Sequence, residues 1–222
     1  MVDRGTVNVC FHGVGAPARS LEPGEDAYWV TEDRFEDILD AIVDRPRVVI
    51  SFDDGNASDV AIALPALARR GLTARFFVLA GRLGQPGSLD DDGVRALRRA
   101  GMVIGTHGMD HRPWRGMDEA TRRAELVEAR ARISAVAGTP VTEAACPLGR
   151  YDRTLLGLLR RLGYERVHTS DRRRARSGAW IQPRYSMLHS DDGDSVRRSV
   201  LVPPPAVESA RLAAVGLVKR WR

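Results

Sequence analysis

Three short stretches carry residue types that together could form a metal-dependent hydrolase site: Ser51-Phe52-Asp53-Asp54-Gly55, His107-Gly108-Met109-Asp110-His111 and Cys146-Pro147-Leu148-Gly149. The first ends an apolar run with two adjacent carboxylates, and the second offers two imidazoles four residues apart. One carboxylate and two imidazoles can hold a divalent cation and leave positions open for water and substrate. The other carboxylate is then free to act as a base. Neighbouring side chains of an extended chain point to opposite sides, so Asp54 on a cation would leave Asp53 uncommitted. Taken singly, an Asp-Gly pair also reads as turn chemistry and a histidine as a satisfied core group. A zinc-protease reading does not fit, because that motif needs Glu directly after the first histidine and Gly108 stands there.

Such residues need a frame that brings them to one place. Short apolar strands alternate with amphipathic helices. Strands are expected over 6–11, 47–52, 74–79 and 102–105, and near Ala144 and Val167. Helices are expected after a cap at Thr31 and over 58–70, 90–100, 118–137 and 153–162, several stopping at a glycine. This βαβα rhythm implies a parallel sheet with helices outside it, either open or closed as a barrel. His12, the Asp53–Asp54 pair and His107 fall just after the first, second and fourth strands, on the rim where such folds carry their sites. That convergence favours barrel-like closure. From Gln182 onward the pattern is less regular, and Pro203-Pro204-Pro205 introduces a terminal segment with a basic end.

A chain of 222 residues fits one large domain. The expected organisation is a catalytic domain over 1–204 and an amphipathic basic segment over 205–222, packed on the body in its plainer reading and touching a membrane surface in its weaker one. The net charge of +5 comes almost wholly from arginine, Lys219 being the sole lysine. No stretch interleaves basic residues with aromatics as a base-stacking platform would, so no nucleic-acid partner is expected. Arg172-Arg173-Arg174 reads as solvated loop charge. Cys10 and Cys146 make no disulfide framework and read as buried thiols. Met1-Val2-Asp3-Arg4-Gly5 shows no apolar leader and no run could cross a bilayer, which points to the cytoplasm. Oligomeric state is not fixed by any of these features.

Taken together and in order, the three stretches resemble the polysaccharide deacetylase family, also called carbohydrate esterase family 4 or the NodB-homology domain. Ser51-Phe52-Asp53-Asp54-Gly55 is similar to its first motif, His107 and His111 to its His-(three residues)-His motif, and Cys146 to Asp152 to a degenerate third motif. The resemblance runs from about Asn8 to Arg184. Two departures stand out: Ala145 occupies the place of the third-motif arginine, and His189, in a polar stretch, poorly matches the family's late histidine. Cys10-Phe11-His12-Gly13-Val14 instead resembles the opening of a permuted subgroup acting on poly-N-acetylglucosamine, whose N-terminal histidine is the general acid. Pro183-Arg184 resembles that subgroup's Pro-Arg, so Arg184 is a candidate to replace the missing arginine beside Asp53.

The resemblance implies a single-domain α/β fold, a distorted (β/α)7-type barrel, and metal-assisted hydrolysis. Asp54, His107 and His111 would bind a divalent metal, Zn2+ first and Co2+ or Ni2+ next, bringing the pKa of water down toward about 7. Asp53 would act as base, a backbone N–H near Leu148 would stabilise the oxyanion, and His12 would protonate the leaving amine. The expected reaction removes an N-acetyl group from an acetamido sugar or a sugar-containing small molecule, releasing acetate and a free amine. Trp114, Tyr151 and Trp180 are candidates to stack a sugar ring. The alternatives are an O-acetyl esterase of the same fold and an inactive metal- or sugar-binding module.

Overall fold

A computed structural model describes residues 5–203 and 205–221. In chain order the elements are β1 (Val7–Phe11), β2 (Gly13–Val14), β3 (Trp29–Val30), α1 (Glu32–Ile42), β4 (Val48–Asp54), α2 (Leu64–Arg69), β5 (Ala74–Val78), α3 (Asp91–Arg99) and β6 (Val103–Thr106). They continue with α4 (Glu119–Arg123), α5 (Ala129–Ala137), β7 (Glu143–Ala145), α6 (Arg153–Arg161), β8 (Arg166–Thr169), β9 (Ile181–Pro183), β10 (Tyr185–Ser186), α7 (Gly193–Ser199) and α8 (Ala206–Trp221). Wide π-helical turns at Asp59–Ala63 and Ala124–Glu128 lead into α2 and join α4 to α5. Helix starts follow the capping chemistry of the sequence. The carboxylates of Asp90, Asp118 and Asp152 each accept from the N–H three residues on, at 2.7, 2.8 and 2.8 Å.

The main sheet has eight parallel strands in the order β10-β1-β4-β5-β6-β7-β8-β9, and β2 pairs with β3 as a separate ribbon. Its two outer strands, β9 and β10, are adjacent in sequence with only Arg184 between them. One segment therefore pairs with β8 through Ile181–Pro183 and with β1 through Tyr185–Ser186. Asn8 braces the gap, its Nδ2 donating to Gln182 Oε1 at 3.1 Å and to the Pro183 carbonyl at 2.9 Å. The result is a nearly closed seven-staved barrel with helices around it, as the resemblance implied.

Period-two alternation divides the strand residues between the faces. Phe11, Phe52 and Phe76 are register partners on β1, β4 and β5. They stack at 5.4 and 4.7 Å, with Phe35 of α1 edge-on to Phe11 at 5.0 Å. This is the apolar seam between sheet and helices. Ser51 and Asp53 alternate with Phe52 and face the barrel interior, where both meet Arg184.

Three sequence expectations need correction. Asp53 and Asp54 end β4 rather than follow it. The stretch after Gln182 is not irregular: it holds the strand that closes the barrel, and α7 with a capping box at Asp192 and Ser195. The arginine run is not simply solvated, since Arg172 Nη1 donates to Ser186 O at 2.8 Å and Arg174 Nη2 to Leu201 O at 2.5 Å. Met1 to Arg4 and the expected domain boundary at Pro204 lie outside the described residues. The terminal segment does form a helix, α8, which packs against α6. Among the described residues no helix is long and apolar enough to cross a membrane.

Candidate functional site

The two adjacent aspartates are separated by what already holds them. Both oxygens of Asp53 are taken by the fork of Arg184, Nη1 to Oδ1 at 2.6 Å and Nη2 to Oδ2 at 2.7 Å. Arg184 is fully buried, sits 5.2 Å over the Phe77 ring, and also donates to Ser51 Oγ at 3.2 Å. Burial alone would raise the pKa of Asp53; the Arg184 guanidinium and then His107 outweigh it and hold the carboxyl well below its usual range. Asp54 is equally buried, yet its Oδ1 has no hydrogen-bond partner.

Strict alternation would send Asp54 to the opposite side from Asp53. It does not, because Asp54 has φ 74°, a left-handed backbone that turns its carboxylate back toward the mouth. Nε2 of His107 then lies 3.7 Å from Asp54 Oδ1 and 3.8 Å from Asp53 Oδ2, and Nε2 of His111 lies 3.7 Å from Asp54 Oδ1. The expectation of two carboxylates splayed by extended geometry is thus corrected by a single dihedral angle.

The histidines converge from a loop after β6, not from a helical turn. Glu125, buried on the π-helical turn, pins that loop: its oxygens accept from the N–H of Met109 at 2.8 Å, of Asp110 at 3.1 Å, and from Trp114 Nε1 at 3.2 Å. Gly108 has φ 94°, and a Cβ there would lie 2.1 Å from Glu125 Oε2, so only glycine fits. The outward ring nitrogens are committed. His107 Nδ1 is 2.9 Å from Ala145 O, and His111 Nδ1 is 2.8 Å from Glu22 Oε2. Both Nε2 atoms are left facing Asp54. Burial pushes the His107 imidazole down to about 4 despite Asp53 and Asp54 beside it, keeping it neutral.

One ligand atom from each of Asp54, His107 and His111 lies within 4.8 Å of the others. An orphaned carboxylate oxygen, two imidazole Nε2 atoms facing it and outer partners that fix both rings are the donor set and support a divalent cation needs. A second group, Cys10, His12 and Asp53, is equally close. It does not fit a cation: Arg184 uses both Asp53 oxygens, and burial pushes the Cys10 thiol well up, disfavouring the thiolate ligand. His12 is half-buried, with Nδ1 unpartnered among the described residues and its ring 4.9 Å from that of Tyr28.

These residues open onto a cavity of about 350 Å³, walled also by Glu22, Tyr28, Leu148, Arg150 and Ser170. Leu148 is a non-glycine residue at φ 55° on the turn between β7 and α6. Six of the seven site residues expected from the sequence therefore meet at one mouth, and the seventh, Arg184, is buried behind it on Asp53. The stacking candidates do not join them. Trp114 and Tyr151 are buried elsewhere, Trp180 bonds Tyr164 O at 2.7 Å under Arg160, and none lines the cavity. His189 is exposed and outside it. Missed were Tyr28, the aromatic that does line the wall, and Glu22, both in the 15–28 loop framed by β2 and β3, where no periodicity marks a function.

The sequence profile described as Polysaccharide deacetylase matches residues 40–167, more than half of the chain. YxkH of Bacillus subtilis (strain 168) is 23% identical over 156 residues, covering 69% of this chain; the chain spans about half of that relative, 52%. Among solved structures, Streptococcus pyogenes deacetylase PplD in complex with acetate superposes with a TM-score of 0.77 at 18% identity, over 90% of this chain and 99% of that one. IcaB from Ammonifex degensii gives 0.70 at 21% identity, over 89% and 96%.

Proposed function

Because the chain belongs to the polysaccharide deacetylase family, we propose that it is a metal-dependent hydrolase removing an N-acetyl group from an acetamido sugar or a sugar-bearing small molecule. The observation that carries this reading is the division between adjacent aspartates. Arg184 occupies both oxygens of Asp53, while Asp54 Oδ1 is unpartnered and faces the Nε2 atoms of His107 and His111. A cation held by Asp54, His107 and His111, Zn2+ first and Co2+ or Ni2+ by the same donors, supplies a Lewis acid that polarises the acetyl oxygen and acidifies water.

The remaining steps belong to the chain's own groups. Asp53 accepts the proton of the attacking water, and Arg184 keeps it ionised and aimed. The Leu148 N–H donates to the oxyanion as it forms, a donor worth roughly 3–4 kcal/mol in comparable sites. Protonated His12 gives its proton to the leaving nitrogen, since an amide anion is a very poor leaving group. That need is smaller for an alkoxide, which is why a histidine on the wall supports an amide over an ester. Tyr28 offers an apolar ring face to the sugar. Arg184 takes the role of the arginine that Ala145 lacks, as in the permuted poly-N-acetylglucosamine subgroup. A retained base and acid support turnover rather than simple binding.

The test is acetate release from a panel of N-acetyl and O-acetyl sugars by the Zn2+-loaded protein. Release from N-acetyl substrates supports the proposal. Release from O-acetyl substrates alone would make it an esterase, and metal uptake with no acetate from any substrate would make it a binding module.

A further inference from the structure

We infer that Lys219 is a positioning residue of this site: through Asp171 and Tyr151 the C-terminal helix fixes the turn that carries Leu148. The inference rests on the proposed role of the Leu148 N–H. Lys219 Nζ donates to Asp171 Oδ1 at 2.8 Å, while Asp171 Oδ2 accepts from Tyr151 Oη at 2.7 Å and from Thr169 Oγ1 at 2.8 Å. The Asp171 side chain is 1% exposed. A buried carboxylate without a counter-charge is costly, and the chain's sole lysine meets it from α8.

The turn is tied at both ends. At its start the Cys146 N–H donates to His168 O at 2.9 Å, a sheet bond. At its end stands Tyr151, whose hydroxyl is one of the three donors to Asp171. Between them Leu148 holds φ 55°, a conformation that persists only where its surroundings enforce it. Ser170, next to Asp171, lines the cavity and packs on the turn: a Cβ on Gly149 would lie 3.2 Å from its own. The helix has a second hold just beyond the turn, where Arg153 at the start of α6 lies 5.3 Å from the Trp221 ring. Movement of Asp171 would thus release Tyr151 and, with it, the aim of the Leu148 N–H. Lys219 does not line the cavity.

The experiment compares Lys219→Ala, Lys219→Arg, Tyr151→Phe and the double variant Lys219→Ala/Tyr151→Phe in the full Zn2+-loaded chain, well below the melting temperature of each. Lys219→Ala should lower kcat for acetate release roughly 10–100-fold, with KM changed less than about twofold and bound metal unchanged. The loss should be equal on amides and activated esters, because an oxyanion donor serves both, and Lys219→Arg should restore most of it. The double variant should lose little more than either single one. Wild-type kcat in Lys219→Ala, a loss confined to KM, or losses that simply multiply would overturn the inference while leaving the deacetylase reading intact. No acetate from the wild-type protein on any substrate would overturn both.

Discussion

Two neighbouring carboxylates of the same type differ here in backbone angle and in partners, and the proposed division of their chemistry rests on that difference. Asp53 is held by both arms of Arg184 and cannot turn to a cation without leaving a buried guanidinium unpaired, yet each oxygen keeps a lone pair for a proton. Asp54 is buried with an orphaned oxygen, a costly state unless a ligand completes it. Asp54→Ala should therefore lose the metal, and its metal-free form should be no less stable to heat than the metal-free wild type. Asp53→Asn should keep the metal and lose about 10²–10⁴-fold in acetate release. Metal analysis, calorimetry and acetate assays on both variants check this; full activity in Asp53→Asn would remove the proposed base. At this scale much was legible. The motif spacings pointed to Asp54, His107 and His111, which the structure brings together, and Pro183-Arg184 pointed to the guanidinium that lies on Asp53. Glu22 and Glu125 were not, because a lone glutamate in a loop or helix is a surface residue by default.

Among the elements, strands of four to seven residues with a helix between them were readable from apolar runs and caps. The closing strand was not. Its halves are three and two residues long and Pro183 removes one backbone donor, so neither can display an alternation. The π-helical turn was equally hidden, since its sequence continues an ordinary amphipathic helix, yet it carries Glu125 under the histidine loop. Glu125→Gln would replace an acceptor of three N–H groups by a side chain with one oxygen and a competing donor. Each buried donor left unpaired costs about 1–3 kcal/mol. The loop should loosen, so the variant should melt earlier and bind Zn2+ at least about tenfold more weakly, as calorimetric titration would read. Wild-type affinity with only a lowered melting temperature would show that Glu125 supports the fold and not the histidines.

At the scale of the molecule, a buried acid–base pair ties the stability of the barrel to pH. Glu143 and His168 form a buried pair inside it at 2.9 Å, with Arg75 and Arg166 also on Glu143. Burial opposes ionisation of Glu143, but His168 and the arginines prevail and bring it to about 2. Burial brings His168 to about 4, the pull of Glu143 notwithstanding. Both values lie below those of the unfolded chain, which therefore binds more protons than the native state as pH falls. For His168 that difference opens below about 6.5 and for Glu143 below about 4.5. Stability should be fully present near neutrality and decline steadily from about pH 6.5 toward pH 2. Denaturant titrations across that range check the sign, and a flat profile would contradict it.

The most direct test of the site is anomalous diffraction at the zinc edge from crystals of the Zn2+-loaded protein. The expected result is one strong peak about 2.0–2.2 Å from an Asp54 oxygen and from Nε2 of His107 and His111, with the Asp53 carboxylate still on Arg184. A peak ligated by Asp53, or one seated on Cys10 and His12, would contradict the account.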